Sequence, residues 1–428
     1  MIGIRREDKS KWEARVPLTP EDVRRLAAQG VHFQVQRSPI RVFADEAYAA
    51  AGAELVDGLD ACPIVMGVKE IPPEKIQPEK AYVYFSHTIK AQPANMPALR
   101  RLVELGCTLI DYERITDEQG RRLVFFGRYA GLAGMIDTLW TLGRRLEHEG
   151  IANPFSQVRP AHAYDDLAHF ERAFSAVADA IRAGGLPEPL RPLVCGFAGY
   201  GQVSQGAQHI FDLLPVEEVA PEALGQLAPA ADRCYKVVFR EEHMVRRRDG
   251  SQPFDLQEYY QHPERYEADF FRYVPALTLL VNCIYWEPKY PRMITRAQFD
   301  ELYAGQPRLR VIGDITCDID GSLACTTRAT EPGNPVYVYD PKTGETHDGV
   351  VGNGPVVLAV DFLPCELAAD ASRHFSRTLA PFVPALDRAT LDGPLDQSGL
   401  PAELQRATIV WRGSLTEPYR YLEPELRG

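Results

Sequence analysis

An excess of basic residues, a long apolar run and paired cysteines are all missing from this sequence. Its 428 residues hold 47 lysines and arginines against 59 aspartates and glutamates, a net charge of −12. That balance excludes a surface built mainly for nucleic acid or anionic membrane. Any anionic ligand must be met by a local cluster of cations. The longest mainly apolar stretch, Pro275 to Trp286, is too short to span a bilayer and is broken by Thr278 and Asn282. The opening MIGIRREDKSKW is charged where a secretory signal is apolar, so a cytoplasmic protein is expected. The eight cysteines form no C-x-x-C pair, and neither they nor the ten histidines cluster at zinc spacing. Reduced thiols and no metal site are expected. No repeat or low-complexity segment is present either.

What is there is ordinary globular composition, 45% apolar and 25% charged. The length exceeds a usual single core, so two domains are expected. In the first third, strands and helices alternate. Thr19-Pro20-Glu21-Asp22 supplies an N-cap, a proline at the first helical position and first-turn acids, and Gly30 ends that helix. Strands are expected at His32 to Gln36, Ile64 to Val68, Ala81 to Ser86, Thr108 to Tyr112 and Leu123 to Gly127. Arg128 to Glu149 reads as one long helix, with Leu132, Met135, Ile136, Leu139 and Leu142 at 3.6-residue spacing.

A second β-α series opens at Leu193. Its first strand runs into Gly199-Tyr200-Gly201-Gln202-Val203-Ser204 and a helix from Val203 to Leu214. Glycines there let the backbone turn sharply against a pyrophosphate, and the helix N-terminus offers free N–H groups. Ser204 stands where the third glycine of G-x-G-x-x-G is expected, and a plain tight turn would explain the glycines alone. The strand-turn-helix context favours a dinucleotide site. Glu217 and Glu218 lie near the position of a ribose-gripping acid, although the strand there is expected to run on to Ala220. Further strands are expected at Tyr235 to Phe239, Thr278 to Tyr285 and Arg310 to Ile315, a hairpin at Val336 to Tyr339 and a last clear helix at Glu366 to Leu379. The fold class is α/β, with parallel, covered sheets.

Three ionisable residues directly follow apolar strands of the first series: Lys69, His87 and Glu113. In a parallel sheet the carboxyl ends share one edge, so these side chains can converge across 44 residues of sequence. Each alone would be read as a solvated loop charge; three in register point to a site. Lys90 and Gln92 follow His87, Arg15 precedes the first helix, and Arg121 and Arg122 precede Leu123. Together Arg15, Lys69, His87, Lys90 and Arg122 suit a polyanionic substrate.

The segments Arg5-Arg6-Glu7 to Pro20, Gly67-Val68-Lys69-Glu70, Phe85 to Gln92, Asp111-Tyr112-Glu113 and Gly127 to Gly134 resemble the lysine-forming saccharopine dehydrogenases. The likeness is closest to the reductase half of the bifunctional aminoadipic semialdehyde synthase, and Gly199 to Pro215, Val281 to Trp286, Gly313 to Thr316 and Leu363-Pro364 extend it over nearly the whole chain. The resemblance implies two Rossmann-like domains with the active site in the cleft between them, as in alanine dehydrogenase and transhydrogenase. A substrate domain would comprise 1–130 and 325–428, and a dinucleotide domain 131–324.

The resemblance also implies roles. Lys69 looks like the general base and His87 the proton donor, with Arg15, Gln92, Arg122 and the backbone near Phe126 on saccharopine. Lys90 and Glu113 look like charges that tune the acid–base pair. Arg121, Gly199, Gly201, Ser204 and Asp314 would serve the cofactor. The implied reaction joins lysine to 2-oxoglutarate, or runs in reverse. NADP(H) is expected over NAD(H), because Ala220 would not repel a 2′-phosphate and Arg240 and Arg246 to Arg248 offer cations. Since the chain stops at Gly428, a free-standing reductase is expected. The competing readings are an alanine-dehydrogenase-type amino-acid dehydrogenase and a catalytically silent dinucleotide binder.

Overall fold

The protein is described here by a computed structural model covering residues 1–250 and 253–426. It divides into two compact units, Met1–Phe126 with Ala368–Gly428, and Gly127–Leu367.

The first unit is built on an eight-stranded sheet. Ile2–Ile4 is central, paired in parallel with Phe33–Gln36 on one side and Ile64–Met66 on the other. Ala81–Tyr84 and Thr108–Asp111 continue the parallel order outward, and Glu54–Val56 closes the opposite edge. Ile64–Met66, Ala81–Tyr84 and Thr108–Asp111 are buried at every position, as expected for strands covered on both faces. Their register aligns Met66 with Val83 and Tyr84 with Asp111, so the residues that follow all leave at one edge. Thr408–Trp411 adds antiparallel beyond Thr108–Asp111.

The helix Pro20–Ala27 begins as its residues dictate. Thr19 accepts from the Asp22 amide, proline fills the first turn, and the chain leaves through Gly30 at φ +93°. Against it lies the helix Ala368–Leu379, whose Ser372 and Ser376 hydroxyls each accept a backbone N–H, from Val16 and Thr19, at 3.0 Å. Those bonds fix the chain on which Arg15 stands.

The second unit has its own eight-stranded sheet. Val216–Glu218, Cys234–Phe239, Leu193–Ala198, Leu279–Asn282, Val311–Asp314 and Val356–Leu358 run parallel in that spatial order. Val336–Tyr339 and Thr346–Asp348 add an antiparallel hairpin at one edge. Two apolar clusters cover the two faces. The long helix Gly127–His148 packs on Gln202–Phe211 by way of two glycines. A Cβ on Gly131 would lie 1.8 Å from the Val203 carbonyl oxygen, and one on Gly206 would lie 2.1 Å from that of Arg128. Only glycine permits this approach.

Three expectations are corrected. No strand forms over Leu123 to Gly127: Arg122 and Leu123 fold back onto Thr116 and Ile115 around the turn Asp117–Gly120, and the long helix starts at Gly127. The segment 325–367 lies with the second unit, because its three strands hydrogen-bond into that sheet. The strand expected to reach Ala220 ends at Glu218, and Ala220 instead precedes a 3-10 turn, Pro221–Gln226. Among the described residues no helix is long and apolar enough to cross a membrane.

Candidate active site

At the carboxyl edge of the first sheet, Lys69 follows Ile64–Met66 by three residues. Burial pushes its amine below the ordinary lysine range, and the positive charge of Arg15 adds to that effect. Glu70 turns to the next loop, where its Oε1 lies 2.6 Å from His87 Nδ1, and Lys9 Nζ approaches its Oε2 at 2.8 Å. Burial alone would raise the Glu70 carboxyl. The hydrogen bond and charge of His87, with Lys69 and Lys9, instead hold it well below the usual carboxylate range.

His87 adopts φ +50°, a left-handed conformation that non-glycine residues seldom hold and that tends to persist at functional positions. Asn95 Nδ2 donates to its carbonyl at 3.0 Å, which helps to fix the turn. The loop is anchored beneath by Asp111, which accepts from the Ser86 amide at 3.0 Å and the Glu113 amide at 2.7 Å, and from the Ser86 hydroxyl. One buried carboxylate thus ties the strand ends leading to His87 and Glu113 together.

Arg15 joins this cluster through an aromatic stack. Its guanidinium lies 4.4 Å from the Phe126 ring centroid, Phe126 stacks on Phe375 at 4.4 Å, and Phe85 contacts both Phe126 and the His87 ring. The same guanidinium forks onto Glu13, with Nε to Oε1 at 2.7 Å, in a pair that is almost fully buried. Arg122 pairs with Glu113 at a more exposed position. Lys90 and Gln92 stand on the exposed loop beyond His87. Arg121 is drawn outward onto Asp117 at 2.6 Å, with its side chain 77% exposed.

Sequence reasoning therefore anticipated Lys69, His87, Arg15 and Phe126, which come together. It assigned no role to Glu70, Glu7 or Glu13, although all three lie inside the segments quoted above. Their partners are far away or two residues off, and nothing local marks a carboxylate as a bridge.

In the second unit the chain leaves Leu193–Ala198 through Gly199 at φ +93°, where a Cβ would press on the Cys283 carbonyl at 3.3 Å. Gly201 caps the helix Gln202–Phe211, and a Cβ there would meet nothing within 4 Å, which leaves open space over the helix N-terminus. Ser204 is buried, and its hydroxyl accepts from Gln208 at 2.9 Å. The close packing expected of a third glycine is made two residues later, by Gly206 on Gly127–His148. This turn fits a dinucleotide pyrophosphate.

Beside it is a cavity of about 520 Å³ lined by Tyr200, Gln205, Glu218, Ala220, Val238 and Arg240, among others. Arg240 lies 4.6 Å over the Tyr200 ring. Glu218 is held by Lys236 at 2.9 Å, which also grips Asp212. Arg246 and Arg247 are committed to Glu267 and Glu258, and Arg248 to the Glu264 carbonyl, so that trio turns elsewhere. Asp314 is 1% exposed and uses both oxygens within the protein, accepting from Asn282, Cys317 and Thr326. It shapes the loop after its strand rather than presenting a free carboxylate. Among the described residues no group of three or more His, Cys, Asp or Glu is placed to hold a metal.

Residues 3–133 match the family model described as alanine dehydrogenase/PNT, N-terminal domain. The chain is 39% identical to alpha-aminoadipic semialdehyde synthase of Arabidopsis thaliana, covering 100% of this chain and 41% of that protein. The mitochondrial alpha-aminoadipic semialdehyde synthase of Mus musculus is 36% identical, with 99% and 47% covered. The chain thus spans less than half the length of these relatives. Saccharopine dehydrogenase [NAD(+), L-lysine-forming] of Emericella nidulans is 28% identical, with 89% and 90% covered. Among solved structures, an L-alanine dehydrogenase superposes with TM-score 0.63 at 18% identity, covering 99% of each chain. The transhydrogenase of Sinorhizobium meliloti gives 0.56 at 15%, covering 97% of this chain and 100% of its own. These two share the fold.

Proposed function

We propose that the chain is a member of the family of alpha-aminoadipic semialdehyde synthases and lysine-forming saccharopine dehydrogenases, and that it reductively joins L-lysine to 2-oxoglutarate, giving saccharopine, or runs the reverse reaction with a nicotinamide dinucleotide. The observation that carries this reading is the pairing of a lysine whose amine is pushed down by burial with a histidine keyed by Glu70, at one sheet edge with Arg15.

Each residue type then has a task. A neutral Lys69 accepts the proton that the substrate amine must lose before it attacks the ketone. His87 passes protons to and from the oxygen that leaves as water, and its Nδ1 bond to Glu70 fixes the ring so that Nε2 faces the reaction. Arg122 offers its guanidinium to a substrate carboxylate, and Arg15, whose fork is held by Glu13, adds its positive charge to that recognition, which orients the reacting carbon. Lys90, Gln92 and Glu113 line the approach and tune its charge, and the backbone near Phe126 offers hydrogen bonds to substrate. A cofactor held at Gly199 to Ser204 supplies or takes the hydride. Asp314 supports that binding through the loop it holds.

We take the preferred cofactor to be NADP(H). Glu218, which stands near the position of a ribose-gripping acid, is already neutralised by Lys236, while Arg240 offers a cation at the rim of the same cavity. Arg240→Ala is expected to lower the specificity constant for NADPH by about 10-fold or more, the scale of one lost charge-assisted contact, and to leave that for NADH nearly unchanged. Equal losses with both cofactors, or equal wild-type efficiency, would rule out this assignment. Eight free cysteines support a reducing compartment, which we take to be the cytoplasm. The reaction itself is tested by following reduced-cofactor absorbance with lysine and 2-oxoglutarate, each omitted in turn. Consumption must require both.

A further inference from the structure

The central strand of the first sheet delivers a group that the proposed chemistry leaves without a task. Glu7 follows Ile2–Ile4 by three residues and is only 6% exposed. Its Oε1 accepts from the Val68 amide at 2.7 Å and its Oε2 from the Lys69 amide at 2.9 Å. These two amides lie beyond the ladder, whose last bond on this side runs from Arg5 N to the Met66 oxygen at 3.0 Å. Past that point no further backbone bond between these two strands is made among the described residues, and without Glu7 the buried Val68 donor and the part-buried Lys69 donor would have no strand to meet them. On the far side the Val68 oxygen still accepts from Phe85 N at 3.1 Å. The carboxylate thus stands in for a strand over one more residue pair, and the residue so fixed carries the amine of the site.

Gly67 makes room for this arrangement. A Cβ there would stand 2.9 Å from Arg5 Cδ and 3.2 Å from Glu7 Oε1. Arg5 Nη1, 3.6 Å from Glu7 Oε2, only partly balances the buried charge.

We propose that Glu7 is a positioning residue for Lys69, its two oxygens fixing the backbone from which the Lys69 amine is presented. This rests on the reading of Lys69 as the base. Ionising Glu7 works against stability. Burial pushes its carboxyl up to about 7, so the stability it contributes is greatest below its unfolded value and is lost as pH rises through 7. At neutral pH an ionised Glu7 is a cost to folding, and its bonds to the site are what it returns.

The test uses the full chain with Glu7→Gln and, separately, Gly67→Ala. Glutamine keeps one acceptor and turns an NH2 donor toward the second amide. Gly67→Ala keeps the carboxylate but crowds its Oε1. In both, turnover with lysine and 2-oxoglutarate, measured at a temperature where the variant is fully folded, should fall about 10-fold or more, the scale of a small misplacement. A second readout needs no substrate: the pH midpoint for acylation of Lys69 by an amine reagent, read by peptide mass spectrometry. It should move up toward that of an ordinary lysine, because a loosened Lys69 escapes the burial that lowers it. An unchanged Lys69 midpoint in both variants overturns the proposal, whatever happens to turnover. If Glu7→Gln does not fold, Gly67→Ala decides alone. If the parent fails to consume cofactor with lysine and 2-oxoglutarate but the midpoint moves, the assigned reaction fails and the positioning role stands.

Discussion

Lys69→Met is expected to slow turnover by about 100-fold or more while leaving the fold and cofactor affinity intact, the usual scale for a positioned acid–base group. The physical reason is the low-lying amine. Burial, reinforced by Arg15, lets Lys69 shed its proton closer to neutrality than a surface lysine does. Turnover toward saccharopine should therefore rise with pH through the Lys69 titration, and Lys69→Met should remove that limb. His87→Gln should cost a similar factor and leave the Lys69 limb in place. The double variant should lose less than the product of the two single losses, because groups acting as one unit are not additive. Near-normal turnover in both single variants would take the acid–base assignment away from this edge.

Arg15→Ala should act first on stability and only then on binding. Its side chain is 3% exposed and that of its partner Glu13 is 2%. Removing the guanidinium leaves a buried carboxylate unpaired, a loss of about 3–5 kcal/mol, and also strips the cation from the Phe126 ring. Arg122→Ala makes the contrast. That guanidinium is 50% exposed, so its pair with Glu113 contributes at most about 1 kcal/mol, and the variant should mainly raise KM for 2-oxoglutarate and saccharopine. Denaturant titration separates the cases. If Arg15→Ala is as stable as the parent, or if Arg122→Ala unfolds while its keto-acid saturation is unchanged, the buried and exposed roles given to these arginines are wrong.

Much of this was legible because it is local or periodic. Runs such as Ile64 to Met66 and Thr108 to Asp111 declare covered parallel strands, and parallel strands place Lys69, His87 and Glu113 at one edge before any coordinate is known. The N-cap at Thr19 and the turn at Gly199 are equally local. The misreadings concern partners that the local pattern does not name. Leu123 to Gly127 looks like a strand by its side chains, yet the turn Asp117–Gly120 bends Arg122 and Leu123 back on Thr116 and Ile115. The hairpin at Val336 was recognised from its alternation, but alternation does not say which sheet a hairpin joins. Ser204 looked like a defect in the glycine pattern, whereas the tight packing is carried by Gly206 and by Gly131 on another helix. Glu70 sits next to Lys69 in sequence and serves His87, 17 residues on, a relation that only the strand register creates.

The most direct test of the central claim follows the lysine nitrogen. With lysine labelled by 15N at the side-chain amine, 2-oxoglutarate and reduced cofactor, the product should have the mass of saccharopine and keep that label in its secondary amine, one product per cofactor oxidised. Cofactor oxidation that proceeds with ammonia and pyruvate, or a product without the lysine nitrogen, would contradict the account.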